Sequence, residues 1–241
     1  MVSVCMATYN GEQYLKEQID SILSQLKKED ELVISDDMSS DGTNDIIHSF
    51  YKCDNRIKYY RHDKQTCKYA IDYATRNFEN AIAHCRGDII FLSDQDDIWL
   101  PNKYSVMLEA LNEYDIVISG FRVIDQNKNV LIDSYVPKRG YWLNLINNTN
   151  NGCCMAFKRS VLQEVFPFPK TMVGHDFWIG VYGGIFFKRK YIDEPLLLYR
   201  RHEGNVTPGN KKSTLPFKFK IEYRLMSLWC TIKGIIKHYL R

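Results

Sequence analysis

Three carboxylates fall within four residues at Asp94, Asp96 and Asp97, in the run Leu92-Ser-Asp-Gln-Asp-Asp-Ile-Trp99. At that spacing they repel one another, and a divalent cation offsets the repulsion. Oxygen ligands suit Mg²⁺ or Mn²⁺, and Mg²⁺ commonly takes one or two carboxylates together with substrate phosphates. The competing reading is a solvated acidic turn that caps the next helix. A second acidic run is Ile34-Ser-Asp-Asp-Met-Ser-Ser-Asp-Gly-Thr43. A carboxylate there can accept hydrogen bonds from a nucleobase N–H or a ribose hydroxyl. Ser40 or Asp41 reads as a cap for the helix after Gly42. Asp36 and Asp37 come too early in the loop for that role.

The elements that must hold these groups are legible as an alternation. Val2 to Ala7 reads as a strand ended by the turn Thr8-Tyr-Asn-Gly11, and Glu12 to Gln25 has helical apolar spacing. Glu31 to Ser35 and Ile57 to Tyr60 read as strands, with a helix from Thr43 to Tyr51 between them. A helix over Asp72 to His84 leads to Asp88–Ser93, the most apolar strand, which runs straight into Asp94. Pro101 opens a helix to Asn112, and Asp115 to Val123 is another strand. The pattern predicts βαβ units and a Rossmann-like, mostly parallel central sheet flanked by helices. The acidic runs fall at strand ends, where open α/β sheets bind ligands. The second half is less regular: a polar loop over Asn147–Gly152, short helices over Val161–Val165 and His175–Val181, and a strand over Tyr191–Tyr199.

Composition narrows the class. The chain has 241 residues, 45% apolar and 25% charged, which excludes a disordered or collagen-like polymer. The formal charge of +3 conceals a partition. Residues 211–241 hold eight Lys/Arg against Glu222 alone, a charge of +7, and the remaining 210 residues carry −4. An acidic body argues against nucleic acid as a partner. Seven cysteines without CxxC spacing argue against a disulfide framework or a structural zinc site, so reduced thiols in a cytoplasmic protein are expected. Tyr9, Asn10 and Gly11 break the first apolar run too early for a leader, and no apolar run reaches the ~20 residues of a membrane span.

Together with Ala7-Thr-Tyr-Asn-Gly11, the two acidic runs resemble the family 2 glycosyltransferases of GT-A fold, over roughly residues 1–125. That family opens with a strand ending in a T-Y-N-G-like turn, continues with a V-D-D-x-S-x-D-G-T segment, and has a D-x-D motif after a G-D-like approach. Here Gly87-Asp88 leads to Asp94-Gln95-Asp96. The Asp-Gln-Asp-Asp-Ile-Trp form is similar to the bacterial, rhamnosyltransferase-like subgroup of surface-polysaccharide assembly. The resemblance implies that Thr8 and Tyr9 line a nucleotide pocket and that Asp36 or Asp37 binds base or ribose. It implies that Asp94 and Gln95 contact the donor, that Asp96 ligates the metal, and that Arg76 and Asn77 touch the donor.

The resemblance extends further along the chain. Val173-Gly-His-Asp-Phe-Trp178 stands where the family has an acidic pair near a helix start, which makes Asp176 the general base, with His175 in place of the commoner Glu. The other reading is that Asp176 caps the helix. Asn150-Asn-Gly-Cys-Cys-Met155 matches the small loop that borders the acceptor site. Tyr199-Arg-Arg-His-Glu-Gly-Asn205 resembles the family's late R-x-H-like segment. There His202 becomes a candidate ligand for metal or phosphate, and Arg200 or Arg201 a candidate partner for diphosphate.

The implied activity is inverting, metal-dependent transfer from a UDP- or dTDP-linked sugar to a saccharide or lipid-linked saccharide. A nucleotidyltransferase would need a basic, Gly-rich triphosphate loop near the N-terminus. A non-catalytic nucleotide-sugar-binding subunit would favour loss of the D-x-D motif or the base. The expected organisation is a catalytic domain over 1–210, with nucleotide-sugar (1–125) and acceptor (126–210) halves, and a basic amphipathic helical segment over 211–241. In that segment Ile221, Leu225, Leu228, Ile232, Ile235 and Tyr239 recur at 4-3 spacing among basic residues. Three readings stay open for it: an anionic membrane surface on the cytoplasmic side, packing on its own domain, or a homodimer seam.

Overall fold

The computed structural model describes residues 1–63, 66–67, 69–138, 140, 144–145, 148–170, 173–202, 205 and 217–240. The expected alternation is present. Strand β1 (Val2–Thr8), helix α1 (Leu15–Leu23), β2 (Glu31–Asp36), α2 (Thr43–Cys53), β3 (Ile57–Arg61), α3 (Ala70–His84) and β4 (Ile89–Ser93) follow in order. β1 is buried almost throughout and β2 entirely, as strands covered on both faces must be. Helix α1 turns Leu15, Ile19 and Ile22 onto them.

These strands pair in parallel, in the order β3-β2-β1-β4. The register sets Thr8 beside Asp36 and Met6 beside Ser93, so three strands end side by side at one edge of the sheet. The expected parallel arrangement therefore holds for this half. Beyond β4 the sheet is mixed. β8 (Met155–Lys158) enters antiparallel between β4 and β6 (Ile116–Ile124), and β9 (Arg189–Arg200) pairs in parallel with β6. β5 (Ile98–Trp99) runs antiparallel to β9, and β7 (Val130–Tyr135) lies antiparallel on β6. None of β5, β7 and β8 is expected from the sequence. Helix α4 (Lys103–Leu111) starts two residues after Pro101.

The short helix α5 (Leu162–Val165) precedes α6 (His175–Phe177). A π-helical turn over Trp178–Gly183 continues α6, and α7 (Gly184–Phe186) closes the segment. The expected boundary near Gly209 lies outside the described residues, as do 211–216 of the basic segment.

Helix α8 (Phe217–Tyr239) packs on the rest of the chain mainly through the side away from the apolar stripe, with Met226, Cys230 and Ile235 against the core. Its buried side chains are Ser227 and Thr231, and Gly234 faces the Tyr182 ring so closely that a Cβ would stand 2.5 Å from it. The small, polar side of the helix allows that close approach. Of the apolar stripe, Ile221, Leu225, Leu228, Ile232 and Tyr239 point outward, and Ile235 is partly buried against the core.

Candidate functional site

The loop after β2 is held by its own carboxylates. Asp36 is fully buried and accepts from Thr8 Oγ1 (2.8 Å), Ser39 N (2.8 Å) and Ser39 Oγ (2.6 Å). These bonds hold Met38 at a positive φ of 59°. Asp41 accepts from the backbone N–H of Thr43 and Glu12, and these bonds outweigh burial to lower its pKa. Asp37 pairs with His62 Nδ1 at 2.5 Å. Asn77, on α3, donates to the Thr8 carbonyl at 3.0 Å, while its Oδ1 has no partner among the described residues. Arg76 is committed elsewhere, to Glu79 and the Pro169 carbonyl. The exposed Tyr9 exchanges two bonds with the Gln95 amide, 2.8 Å from its N–H and 2.9 Å from its carbonyl, which ties the loop after β1 to the loop after β4.

The loop after β4 is poorer in donors. Burial raises the pKa of Asp94 to about 7, and the negative charges of Asp96 and Asp176 add to the effect. Asp97 is buried. One oxygen accepts from Arg200 N at 3.0 Å and the other has no partner among the described residues. Burial, then the charges of Asp96 and Asp94, push its carboxyl well above the usual range. Asp96 faces the end of β9, where His202 Nε2 lies 2.8 Å and Asn205 Nδ2 3.2 Å from its Oδ2. His202 also packs on the Tyr14 ring. Arg200, nearly inaccessible, holds this corner by donating to the Asp96 carbonyl (2.9 Å) and to Glu17 (2.7 Å), so it is a brace rather than a surface cation. Arg201 is partly buried, with its guanidinium 4.7 Å from the Tyr199 ring centre.

Asp176 opens α6. Its Oδ1 accepts from Phe177 N (2.7 Å) and its Oδ2 from Asn148 Nδ2 (3.0 Å). Burial nevertheless lifts its pKa to about 6. Gly174 leaves the room this carboxylate needs, because a Cβ there would stand 2.4 Å from Oδ1. The adjacent His175 is buried against Phe78, and desolvation lowers its pKa to about 3. It is a neutral core ring and does not replace the charge of a Glu.

Sequence reasoning missed several groups. Asn148 and Asn205 steady Asp176 and Asp96. Lys103 is fully buried and donates to the Cys153 carbonyl at 2.6 Å. Cys153 joins Asp94 and Asp97 in a cluster whose ligand atoms lie within 4.8 Å of one another. The presence of Asn148 and Asn205 in polar loops was the only signal for either residue. Among the described residues Asp94, Asp97 and Cys153 form a group of three with ligand atoms this close, and Asp96 with His202 is a pair beside it. Asp94–Asp97–Cys153 includes a soft thiol, which suits Mg²⁺ or Mn²⁺ poorly. Asp96 with His202 offers a carboxylate and an imidazole close enough to share one ion, and fits Mn²⁺ or Mg²⁺ better.

A family model described as glycosyl transferase family 2 matches residues 3–166, more than half of the chain. An uncharacterized glycosyltransferase of Rickettsia conorii is 27% identical over 88% of this chain and 35% of its own length. The Escherichia coli UDP-Glc:alpha-D-GlcNAc-diphosphoundecaprenol beta-1,3-glucosyltransferase WfgD is 31% identical over 70% of this chain and 64% of its own. The chain thus spans between about a third and two thirds of the length of these curated relatives. Among solved structures, S. aureus TarS 1–349 in complex with UDP-GlcNAc aligns with a TM-score of 0.66 at 15% identity, over 94% of this chain and 71% of that one. The Pyrobaculum calidifontis mannosyltransferase PcManGT in complex with GDP-Man and Mn2+ aligns at 0.59 and 17% identity, over 99% and 75%. The chain belongs to glycosyl transferase family 2 and has the GT-A fold.

Proposed function

We propose that this family 2 chain transfers a sugar from a nucleotide-diphospho-sugar to a hydroxyl of a saccharide or lipid-linked saccharide in surface-polysaccharide synthesis, with inversion at the anomeric carbon. The observation that carries the reading is the Asp176 carboxylate, held near a pKa of 6 and close enough to Asp94 for its charge to be felt there. A base with that pKa is ionised at neutral pH and still basic enough to accept a proton.

The physical problem has two parts. The departing nucleoside diphosphate gains negative charge, and the acceptor hydroxyl is a weak nucleophile. Arg201 supplies a cation for the first part. Asp96 and His202 would hold Mn²⁺ or Mg²⁺, which when bound acts as a Lewis acid toward diphosphate oxygens. For the second part, Asp176 takes the hydroxyl proton as the acceptor attacks from the face opposite the leaving group. A single displacement inverts the centre. Asn148 keeps one carboxylate oxygen in place and leaves the charged form favoured.

In the donor pocket, Asp36 is consumed in holding its loop. Asp37 is then the carboxylate to meet base or ribose, exchanging its contact with His62. Thr8 and Tyr9 form the floor, Asn77 fixes that floor from behind, and Gln95 and Asp94 border the sugar. Arg76, held by Glu79 and the Pro169 carbonyl, lines the same hollow as His62. A UDP- or dTDP-linked donor accords with the UDP-GlcNAc complex of TarS and the UDP-Glc in the WfgD name. The diphosphoundecaprenol in that same name supports a lipid-linked acceptor.

The test is transfer from UDP- and dTDP-sugars, with and without Mn²⁺, onto saccharide and lipid-linked acceptors, with the product's anomeric configuration read by NMR. Inverted product, made faster with Mn²⁺, is expected. A retained configuration would overturn the base assignment, and unchanged rates under chelation would overturn the metal.

A further inference from the structure

Helix α8 packs one side on the core, with Met226, Cys230 and Ile235 against it, and turns a stripe of large apolar side chains outward. The inner face meets the segment that carries the candidate base. Tyr223 stands edge-on to Phe177, Gly234 abuts Tyr182, and His238 reaches Glu164 at 3.1 Å. Ser227 and Thr231 are buried between them. The outer face carries Leu225 (62% exposed), Leu228 (42%), Trp229 (53%), Ile232 (43%) and Ile236 (53%). At about 100° per residue these side chains occupy roughly a third of the helix circumference. Lone exposed apolar groups need no explanation, but a continuous stripe of large ones does.

The charges at its margins identify what covers it. Arg224 lies along one border and Lys233 and Lys237 along the other, all exposed, and Lys233 sits 4.7 Å above the Trp229 ring. Lys218 adds charge in the first turn, and Glu222 is the only acid between residues 217 and 240. A second copy docked stripe to stripe would bring these cations face to face. Anionic lipid headgroups neutralise them while acyl chains take up the stripe. No described helix is long and apolar enough to cross a membrane, so the geometry is one of lying on the surface.

We propose that α8 is an interfacial helix, which seats its Leu225–Ile236 face in an anionic bilayer and brings the α6 segment, with Asp176, up to that bilayer. The docking itself does not depend on the transfer reaction. It would hold if the activity proved different.

The experiment is co-sedimentation of the 241-residue chain with phosphatidylglycerol and with phosphatidylcholine vesicles, beside sedimentation velocity without lipid. Binding to phosphatidylglycerol alone is expected, weakened by high salt. A loss of about tenfold or more is expected in the triple variant Leu225→Gln/Leu228→Gln/Ile232→Gln, and in Lys233→Glu/Lys237→Glu. The second variant changes only exposed cations and keeps the test valid if the first does not fold, which circular dichroism would report. Absent binding, or binding unchanged in the charge-reversal variant, overturns the proposal. A wild-type dimer that becomes monomeric in the triple variant without any vesicle binding assigns the stripe to a second copy.

Discussion

The loops after β2 and β4 look alike as sequence, each a serine followed by closely spaced aspartates, yet they sit in opposite electrostatic conditions. In the first, Asp36 and Asp41 accept from backbone N–H groups and hydroxyls of their own and neighbouring loops, and their charge is spent on geometry. In the second, Asp97 has a buried oxygen without a partner and Asp94 is pushed to about 7. The difference teaches that acidity along a chain does not mark a reactive site. Scarcity of donors marks instead the carboxyls whose pKa is pushed up, because little there offsets the burial.

The contrast can be broken at four places. The largest effect is expected from Asp176→Asn, which should cut transfer by ~10²–10⁴-fold while leaving nucleoside diphosphate binding intact in calorimetry. Asp96→Ala comes next, with Mn²⁺-dependent nucleotide affinity expected to fall by roughly 10–100-fold. Equal affinity with and without Mn²⁺ in wild type would place the donor-poor loop outside metal chemistry. Asp36→Ala should act on the other loop and on stability alone. Buried donors left unsatisfied cost about 1–3 kcal/mol, visible as a lower urea midpoint. If transfer collapsed while the midpoint stayed put, Asp36 would belong to the donor site. The smallest change is in pH dependence. With Asp176 as the proposed base its ionised form is the active one, so kcat/KM should fall as pH drops through about 6. Asn148→Ala removes a donor that favours the charged carboxylate, so that acid limb should move to higher pH.

Much of the donor half was legible because its rules are local. Period and turn chemistry placed β1 to β4, and with them the Thr8, Asp36 and Asp94 strand ends. The rest depends on pairing at a distance. β8 is four residues and β5 two, too short for any pattern, and both exist because β4, β6 and β9 complete them. β7 is almost wholly exposed, so it lacks the alternation that a half-buried strand displays. Asn148 and Asn205 gain meaning only from the aspartates that fold against them. In α8 the 4-3 periodicity picks out a stripe that is mostly exposed but sends Ile235 to the core, and periodicity does not say what lies against each side. Gly234 and Ser227 decided which face packed inward.

Strand β9 joins β6 to β5 in the finished sheet, and its end supplies His202 and Asn205 to Asp96, more than a hundred residues earlier. Arg200 likewise reaches back to Glu17. The corner proposed to hold a cation is therefore among the last parts of the molecule to exist as the chain leaves the ribosome. A nascent polypeptide ending before residue 200 can form the β1–β4 layer yet holds Asp96 without its imidazole. Contacts of such long sequence separation close slowly. The proposed Asp96–His202 site should thus be completed in one late step of folding, well after the donor-side strands have paired.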